Sequence, residues 1–272
     1  MTNNTKPDDV LQEICDFYSE IKLANEFKLV NGKYGQVTVW KHEPTQKLFL
    51  KKQIKLKNFN EIEPMIHALM KNNRYFLKLY YSVTTLKSHI LIMDFIKGGD
   101  LFDLLKSEEY LCVDETKLIV AQICEGLQAL HKHHYIHNDI KLENILYNRY
   151  KQIYIADYGL CKVVGQDSCL DGTMDYFSPE KIAEMNYDYS FDWWAVGVLT
   201  HELLTGKHPY KLYSYEDLYI DKLKERQQKK IVFRKSVTKH AEVFIQQMLE
   251  YNIKYRLKSY TYIMRNNFFL NK

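Results

Sequence analysis

The chain has 272 residues, 46% of them hydrophobic and 26% charged, which is enough apolar material for a buried core and excludes a disordered polymer. Its formal charge of +4, from 38 basic and 34 acidic residues, is too even to mark a nucleic-acid binder, so arguments from charge must be local. Five scattered cysteines with no CxxC pair, an N-terminus without a signal-peptide run and no stretch of membrane-spanning length lead to the expectation of a soluble, intracellular protein with reduced thiols.

In chain order, Asp8 and Asp9 stand as caps of a helix whose Val10, Leu11, Ile14, Phe17, Tyr18 and Ile21 share one apolar face. This helix is expected to pack, not to catalyse, and residues 1–24 are assigned to an N-terminal helical extension. Short β-rich runs follow at 37–40, 48–54, 77–83 and 89–93, with one helical stretch at 62–70. Pro64 belongs in a first helical turn and puts the start of that helix nearby. Residues 25–94 therefore read as a small sheet-rich lobe. Gly98 and Gly99 break the pattern, and residues 95–272 are dominated by helical periodicity at 114–134, 191–204 and 241–251. The expected fold class is α+β, a small β-rich N-terminal lobe and a larger α-helical C-terminal lobe joined by a hinge at about 94–99. With no internal repeat and no long linker, two lobes of one unit are expected rather than independent domains.

The chemistry concentrates in His137-Asn138-Asp139-Ile140-Lys141-Leu142-Glu143-Asn144 and, further on, Asp157-Tyr158-Gly159. Two carboxylates and an amide recur there at a spacing suited to holding metal-bound nucleotide phosphates over a hydroxyl acceptor. Asp139 can accept or orient the proton of an attacking hydroxyl, and Asn144 can turn its amide oxygen toward a metal. Lys141 can set an ammonium beside developing negative charge. Asp157 follows the apolar run 153–156, so its carboxylate emerges at a strand end, as an oxygen ligand suited to Mg²⁺ or Mn²⁺.

These motifs resemble the eukaryotic-type protein kinase family over about residues 27–269, and the His-Asn-Asp and Asp-Tyr-Gly variants are similar to its baculovirus-encoded branch. The resemblance implies ATP-dependent phosphoryl transfer to proteins, with Lys141 and the Gly172-Thr173 start of the peptide-receiving segment pointing to Ser/Thr specificity. It implies that Val30, Gly32, Gly35 and Val37 lie in the loop over the phosphates, although Val30 stands where the family has its first glycine. Lys52, alternating with Leu48 and Leu50, matches the lysine on the α- and β-phosphates, while Lys51 points to the other face. Its acidic partner is Glu63 or Glu61, with Glu63 preferred. Leu50, where Ala is usual, crowds the adenine pocket; Met93 lines the back of that pocket, Asp94 and Ile96 supply hinge backbone groups, and Asp100 reaches the ribose. Among the residues with structural roles are His137, Gly159 and Tyr158, whose hydroxyl needs a partner if buried. Glu180 is expected to pair with Arg256, and Asp192 to cap a buried helix while bonding the catalytic-loop backbone.

Asp100, Glu143 and Glu202 stand where kinases of basic substrates place carboxylates for arginine, and Thr173 opens the segment that receives the peptide. A basic, Arg-rich protein substrate is therefore expected. The resemblance adds a role late in viral infection, with very late gene expression and a small arginine-rich DNA-packaging protein as substrate, in host cytoplasm or nucleus. It adds no direct nucleic-acid contact and no membrane, and it leaves the oligomeric state open. Asn138 replaces the Arg that many kinases use to hold a phosphorylated activation loop, so Ser168→Ala is expected to leave most activity. Two rival readings stand beside this one. A pseudokinase scaffold is suggested by Val30 and Leu50 and opposed by the presence of Lys52, Asp139, Asn144 and Asp157. A small-molecule phosphotransferase of the choline or aminoglycoside type shares the Asp139 to Asn144 spacing but has no need of the 173–180 segment or of Asp192-Trp193-Trp194.

Overall fold

The structure, a computed structural model, describes residues 7–25, 36–210 and 219–270. Val30, Gly32 and Gly35 of the phosphate-loop expectation, and the Asp8 side chain, lie outside the described residues. Two compact units are present, one of Met1–Lys71 and Leu77–Phe95, the other of Asn72–Phe76 and Ile96–Lys272. The first is sheet-rich and the second helical, the α+β composition expected.

In the first unit, α1 (Pro7–Glu20) runs into β1 (Ile21–Leu23), and β2 (Gln36–His42), β3 (Leu48–Lys55), α2 (Ile62–Leu69), β4 (Leu79–Thr84) and β5 (Ser88–Asp94) follow. The described strands form one antiparallel sheet in the order β1-β2-β3-β5-β4. Strand alternation sends Phe49, Ile90 and Ile92 to one face, where they cluster with Phe17 and Ile21 under Tyr18, Trp40, Tyr80 and Tyr81. Because Phe17 is buried in that cluster, α1 is part of the sheet's own core and not a separate extension; Leu11, toward the start of the helix, is exposed. Ile21 also leaves the predicted helical face, since the chain enters β1 there and pairs with His42. The opposite face carries Leu50, Lys52, Leu91 and Met93, with Lys52 across from Leu91 and Leu50 across from Met93. β5 is buried on both faces from Ser88 to Met93, which explains why its sequence is a nearly continuous apolar run without alternation.

The second unit contains α3 (Leu101–Glu108), α4 (Val113–His131), β6 (Tyr135–Ile136), β7 (Ile145–Tyr147), β8 (Ile153–Ile155) and β9 (Lys162–Val163). After these come α5 (Pro179–Ile182), α6 (Ser190–Thr205), α7 (Ile220–Gln227), α8 (Lys239–Met248), α9 (Tyr260–Met264) and α10 (Asn267–Leu270). α6 is buried around almost its whole circumference, as a central helix must be, and α4 and α8 pack against it. α4 stops at His131, short of the predicted 134, and His134 takes a left-handed φ of 63°. β7 and β8 form a short antiparallel ribbon with Ile145 opposite Ile155. Residues 72–76 join this unit because Tyr75 O accepts from Ile155 N–H at 2.8 Å. A Cβ on Gly98 would lie 1.8 Å from Tyr147 O, so the turn before α3 can approach β7 only without a side chain. Among the described residues no helix is long and apolar enough to cross a membrane.

Candidate active site

Strand register begins the assembly. Because Ile145 pairs with Ile155, the residues just outside that pair face each other, and Ala156 N–H donates to Asn144 O at 2.9 Å. Asp157 therefore follows directly at the end of the ribbon that Asn144 begins. It adopts φ 62° and ψ 75°, a left-handed conformation that Asp tolerates better than most residues and that recurs where function constrains the backbone.

The loop before β7 folds back onto its own side chains. Asn144 Nδ2 donates to Asp139 O at 2.7 Å and to Asp139 Oδ2 at 3.0 Å, so the amide oxygen is the end able to face a cation. Asp139 Oδ1 accepts from Thr173 N–H at 2.9 Å and from Thr173 Oγ1 at 2.8 Å. Lys141 Nζ donates to the same Oγ1 at 2.9 Å and lies 3.4 Å from Asp139 Oδ2. A single threonine hydroxyl thus joins the acid to the lysine. His137 is fully buried; its Nδ1 accepts from Asp139 N–H at 3.4 Å, so Nε2 carries the proton and donates to Ala156 O at 3.0 Å.

Asp192 holds the loop from beneath. Its Oδ2 accepts from His137 N–H and from His131 Nε2, both at 2.8 Å, and its Oδ1 accepts from Asn138 N–H at 2.9 Å. Burial pushes this carboxyl up, but the His131 hydrogen bond and charge and the loop N–H group outweigh it and hold it below the usual carboxylate range. The expectation that Asp192 caps the helix is not met. Tyr189 occupies the N-cap, Asp192 lies in the first turn of α6, and Asp188 Oδ1 takes the Ser190 N–H at 2.8 Å; the Asp192 carboxylate is already committed to the catalytic loop. Glu180 Oε1 accepts from Arg256 Nη1 at 2.6 Å. The buried Tyr158 hydroxyl finds the Ile155 carbonyl at 2.6 Å, and Gly159 sits in the tight turn Tyr158–Leu160.

In the first unit, Lys52 Nζ meets Glu63 Oε1 at 2.7 Å, with both side chains buried. Glu61 is the exposed N-cap residue of α2, so geometry selects Glu63. Val37 lies opposite Lys52 in β2, while Lys51 stands over the Trp40 ring at 4.7 Å on the α1 face. Asp94 donates its N–H to Lys78 O at 3.0 Å and its carboxylate accepts from the Tyr80 hydroxyl at 2.8 Å. In the second unit, Ile96 O takes the Gly99 N–H at 3.5 Å, and Asp100 Oδ1 caps α3 through Asp103 N–H at 2.8 Å.

Among the described residues there is no group of three or more His, Cys, Asp or Glu able to hold a metal. An amide oxygen from Asn144 and a carboxylate from Asp157 are hard donors, few in number. They suit a divalent cation that keeps waters and phosphate oxygens as its remaining ligands, and not a structural zinc.

Comparison with known proteins agrees with this geometry. Residues 24–269 match the protein kinase domain family. The chain is 53% identical to Serine/threonine-protein kinase 1 of Heliothis zea nuclear polyhedrosis virus, over 96% of its own length and 98% of the relative's. The chain belongs to the eukaryotic-type serine/threonine protein kinases. The kinase is also 49% identical to Serine/threonine-protein kinase 1 of Lymantria dispar multicapsid nuclear polyhedrosis virus, over 96% of each chain. Its fold matches the solved structure of the Cydia pomonella granulovirus kinase PK-1 with a TM-score of 0.88 and 34% identity, covering 97% of this chain and 99% of that one. It is an ATP-dependent enzyme of a family that uses divalent metal, which sets aside the scaffold and small-molecule readings.

Several residues of the site have no signal in the local sequence. His131 reads as an ordinary helix residue, Lys181 as the residue after Pro179-Glu180, and His67 as one position on an apolar helix. His67 lies one turn beyond Glu63, its Nδ1 is 3.1 Å from Leu77 O, and burial lowers its pKa from 6.5 to about 4. The ring is therefore neutral when folded, with Nδ1–H donating to Leu77 O. Because the unfolded chain takes up this proton near pH 6.5 and the folded chain only near pH 4, stability falls as pH drops through that window, by on the order of 3 kcal/mol. Urea midpoints at pH 7 and pH 4.5 are expected to differ less in His67→Gln than in the wild type; equal differences would show that His67 does not set the slope.

Proposed function

We propose that the kinase moves the γ-phosphoryl group of ATP, held with Mg²⁺ or Mn²⁺, onto serine and threonine hydroxyls in arginine-rich segments of a basic protein. When bound, ATP would supply the phosphoryl group and a divalent cation would neutralise charge on its phosphates. The chain's own groups do the rest. Asp139 takes or orients the hydroxyl proton, with its carboxylate held by Thr173 and Asn144. Lys141 would set its ammonium beside the charge on the transferring group and Asn144 and Asp157 would hold the cation; in the first unit Lys52, steadied by Glu63, would take the α- and β-phosphates.

The observation that carries the substrate preference is the placement of two carboxylates on neighbouring elements, Asp100 at the N-cap of α3 and Glu143 in the 142–144 turn that packs against α3. Burial is the main cause that raises the Asp100 carboxyl, and the negative charges of Asp103 and Glu143 raise it further, so an arginine bridging Asp100 and Glu143 would relieve a cost already present. Glu143 also lines a cleft of about 590 Å³, whose walls carry Asp175 and Glu202 together with Lys106, Lys207 and Arg234. Glu202 accepts from the Tyr176 hydroxyl there. The baculovirus resemblance supports a small arginine-rich DNA-packaging protein as substrate, phosphorylated late in infection in the host cytoplasm or nucleus.

Radiolabelled transfer from ATP with Mg²⁺ or Mn²⁺ to a serine peptide with arginines before the acceptor, to the same peptide with alanines there, and to choline tests this reading. The arginine peptide is expected to have a kcat/KM about tenfold or more above the alanine peptide, with no transfer to choline, and Glu143→Gln should shrink the gap. Equal use of the two peptides would sink the arginine preference.

A further inference from the structure

Between His137 and Asp139 the kinase carries Asn138, which brings no charge to the point where a cation could hold a phosphorylated activation segment. The structure fills that point with other groups. Asn138 Nδ2 donates to Asp171 Oδ1 at 2.9 Å and to Leu160 O at 3.1 Å, and its Oδ1 accepts from Lys181 Nζ at 2.6 Å. Lys162 Nζ lies 3.0 Å from Asp171 Oδ2, Lys181 Nζ lies 3.5 Å from Asp171 Oδ1, and the Tyr187 hydroxyl donates to Oδ1 at 3.2 Å. One carboxylate thus gathers two ammonium groups, an amide and a phenol from four separate stretches of the second unit. Burial pushes the Asp171 carboxyl up, yet the hydrogen bonds from Asn138 and Lys162 and the two lysine charges bring it below its ordinary value.

Lys181 is the costly member of this cage. It is 2% exposed, and burial lowers the pKa of its ammonium; a charge so removed from water persists only where it is paired. Its Nζ has Asn138 and Asp171 as polar partners and the Phe177 ring at 4.5 Å. The cage matters for the reaction because of what lies beside it. Asp171 is separated by Gly172 alone from Thr173, the residue that holds Asp139 Oδ1. Gly172 has φ 97°, and a Cβ there would come within 3.0 Å of Asn138 O and 3.3 Å of Asp139 Oδ1, so the segment is pressed directly onto the catalytic loop.

We infer that Asp171 does for this activation segment what a bound phosphate would do, and that Lys181, acting through Asn138 and Asp171, is the positioning residue that keeps Thr173 on Asp139 without phosphorylation of the segment. The inference rests on Asp139 being the catalytic carboxylate, and Asp139→Asn measured in the same assay tests that reading separately.

Kinase freed of phosphate by a phosphatase, with its intact mass verified, and the Ser168→Ala variant are both expected to keep a kcat close to that of untreated enzyme. Asp171→Asn and Lys181→Met should each lower kcat about tenfold or more while leaving the KM for ATP nearly unchanged, as loosened Thr173–Asp139 geometry predicts. Adding Asn138→Arg to Lys181→Met should restore much of the lost kcat, because a guanidinium on the loop can take Asp171 itself; a purely structural role for Lys181 gives no such rescue. Loss of transfer on removing phosphate, or wild-type kcat in Asp171→Asn, overturns the inference. If Asp171→Asn does not fold, failure of Asn138→Arg to rescue Lys181→Met overturns it. Absence of transfer in the wild type would overturn the catalytic reading and this inference with it.

Discussion

Asp139→Asn is expected to lower kcat about a thousandfold, with little change in nucleotide affinity. The replacement is nearly isosteric, and an amide oxygen at Oδ1 can still accept from Thr173 N–H and Oγ1, so the segment should stay docked. What disappears is the negative charge that takes or orients the acceptor's proton, an effect worth roughly 10²–10⁴ in rate where a positioned base is lost. Lys141, 3.4 Å from Asp139 Oδ2, loses its anionic partner at the same time, which adds to the defect. Initial rates of radiolabelled phosphate transfer, alongside titration with a fluorescent ATP analogue, separate the two quantities. A variant that keeps more than about a tenth of wild-type kcat would place the proton-handling group elsewhere.

The largest loss of stability is expected for Arg256→Leu. The guanidinium is fully buried, donates to Glu180 Oε1 at 2.6 Å, Glu250 O at 2.7 Å and Tyr251 O at 3.2 Å, and stacks over the Trp194 ring at 4.6 Å. Removing it leaves the buried Glu180 carboxylate with the Ser190 hydroxyl at 2.9 Å as its hydrogen-bond donor, and uncovering one partner of a buried pair costs about 3–5 kcal/mol. In a chain of this size that corresponds to a fall in Tm of roughly 10 °C. Because the penalty comes from the stranded carboxylate, the double variant Arg256→Leu with Glu180→Leu should recover part of it. Thermal unfolding followed by circular dichroism checks both; a double variant less stable than the single one would show that packing around Trp194, and not the unpaired charge, carries the cost.

The readable parts of this kinase are those in which chemistry and chain are contiguous. His137 to Asn144 and Asp157 to Gly159 bring their carboxylates and amide in short stretches, and β7 and β8 join the two through a single ribbon, so spacing alone nearly places them. β2, β3 and β5 were legible because alternation or a continuous apolar run reports which faces are covered. α1 was only half legible: its periodicity runs on through Ile21, but the sheet offers a strand partner there, and pairing with His42 wins over one more helical turn. Pro64 favours Glu63 over Glu61 as the partner of Lys52 without excluding Glu61, and the start of α2 decides it: Glu61 is left at the exposed N-cap while Glu63 reaches Lys52. Asp192 reads as a cap because a helix-start acid usually serves its own helix, but the buried N–H groups of His137 and Asn138 claim it.

On its own, then, the amino-acid sequence determined the α+β fold class, through the period of its apolar residues, and the class of reaction, through contiguous motifs that resemble those of protein kinases. Only the tertiary structure decided which acid serves Lys52, why Arg256 is buried, and that Asp171 is caged by Lys162, Lys181, Asn138 and Tyr187. Those outcomes depend on desolvation and pairing between residues far apart in sequence, and a lysine or an aspartate looks the same in a sequence whether water or another charge surrounds it.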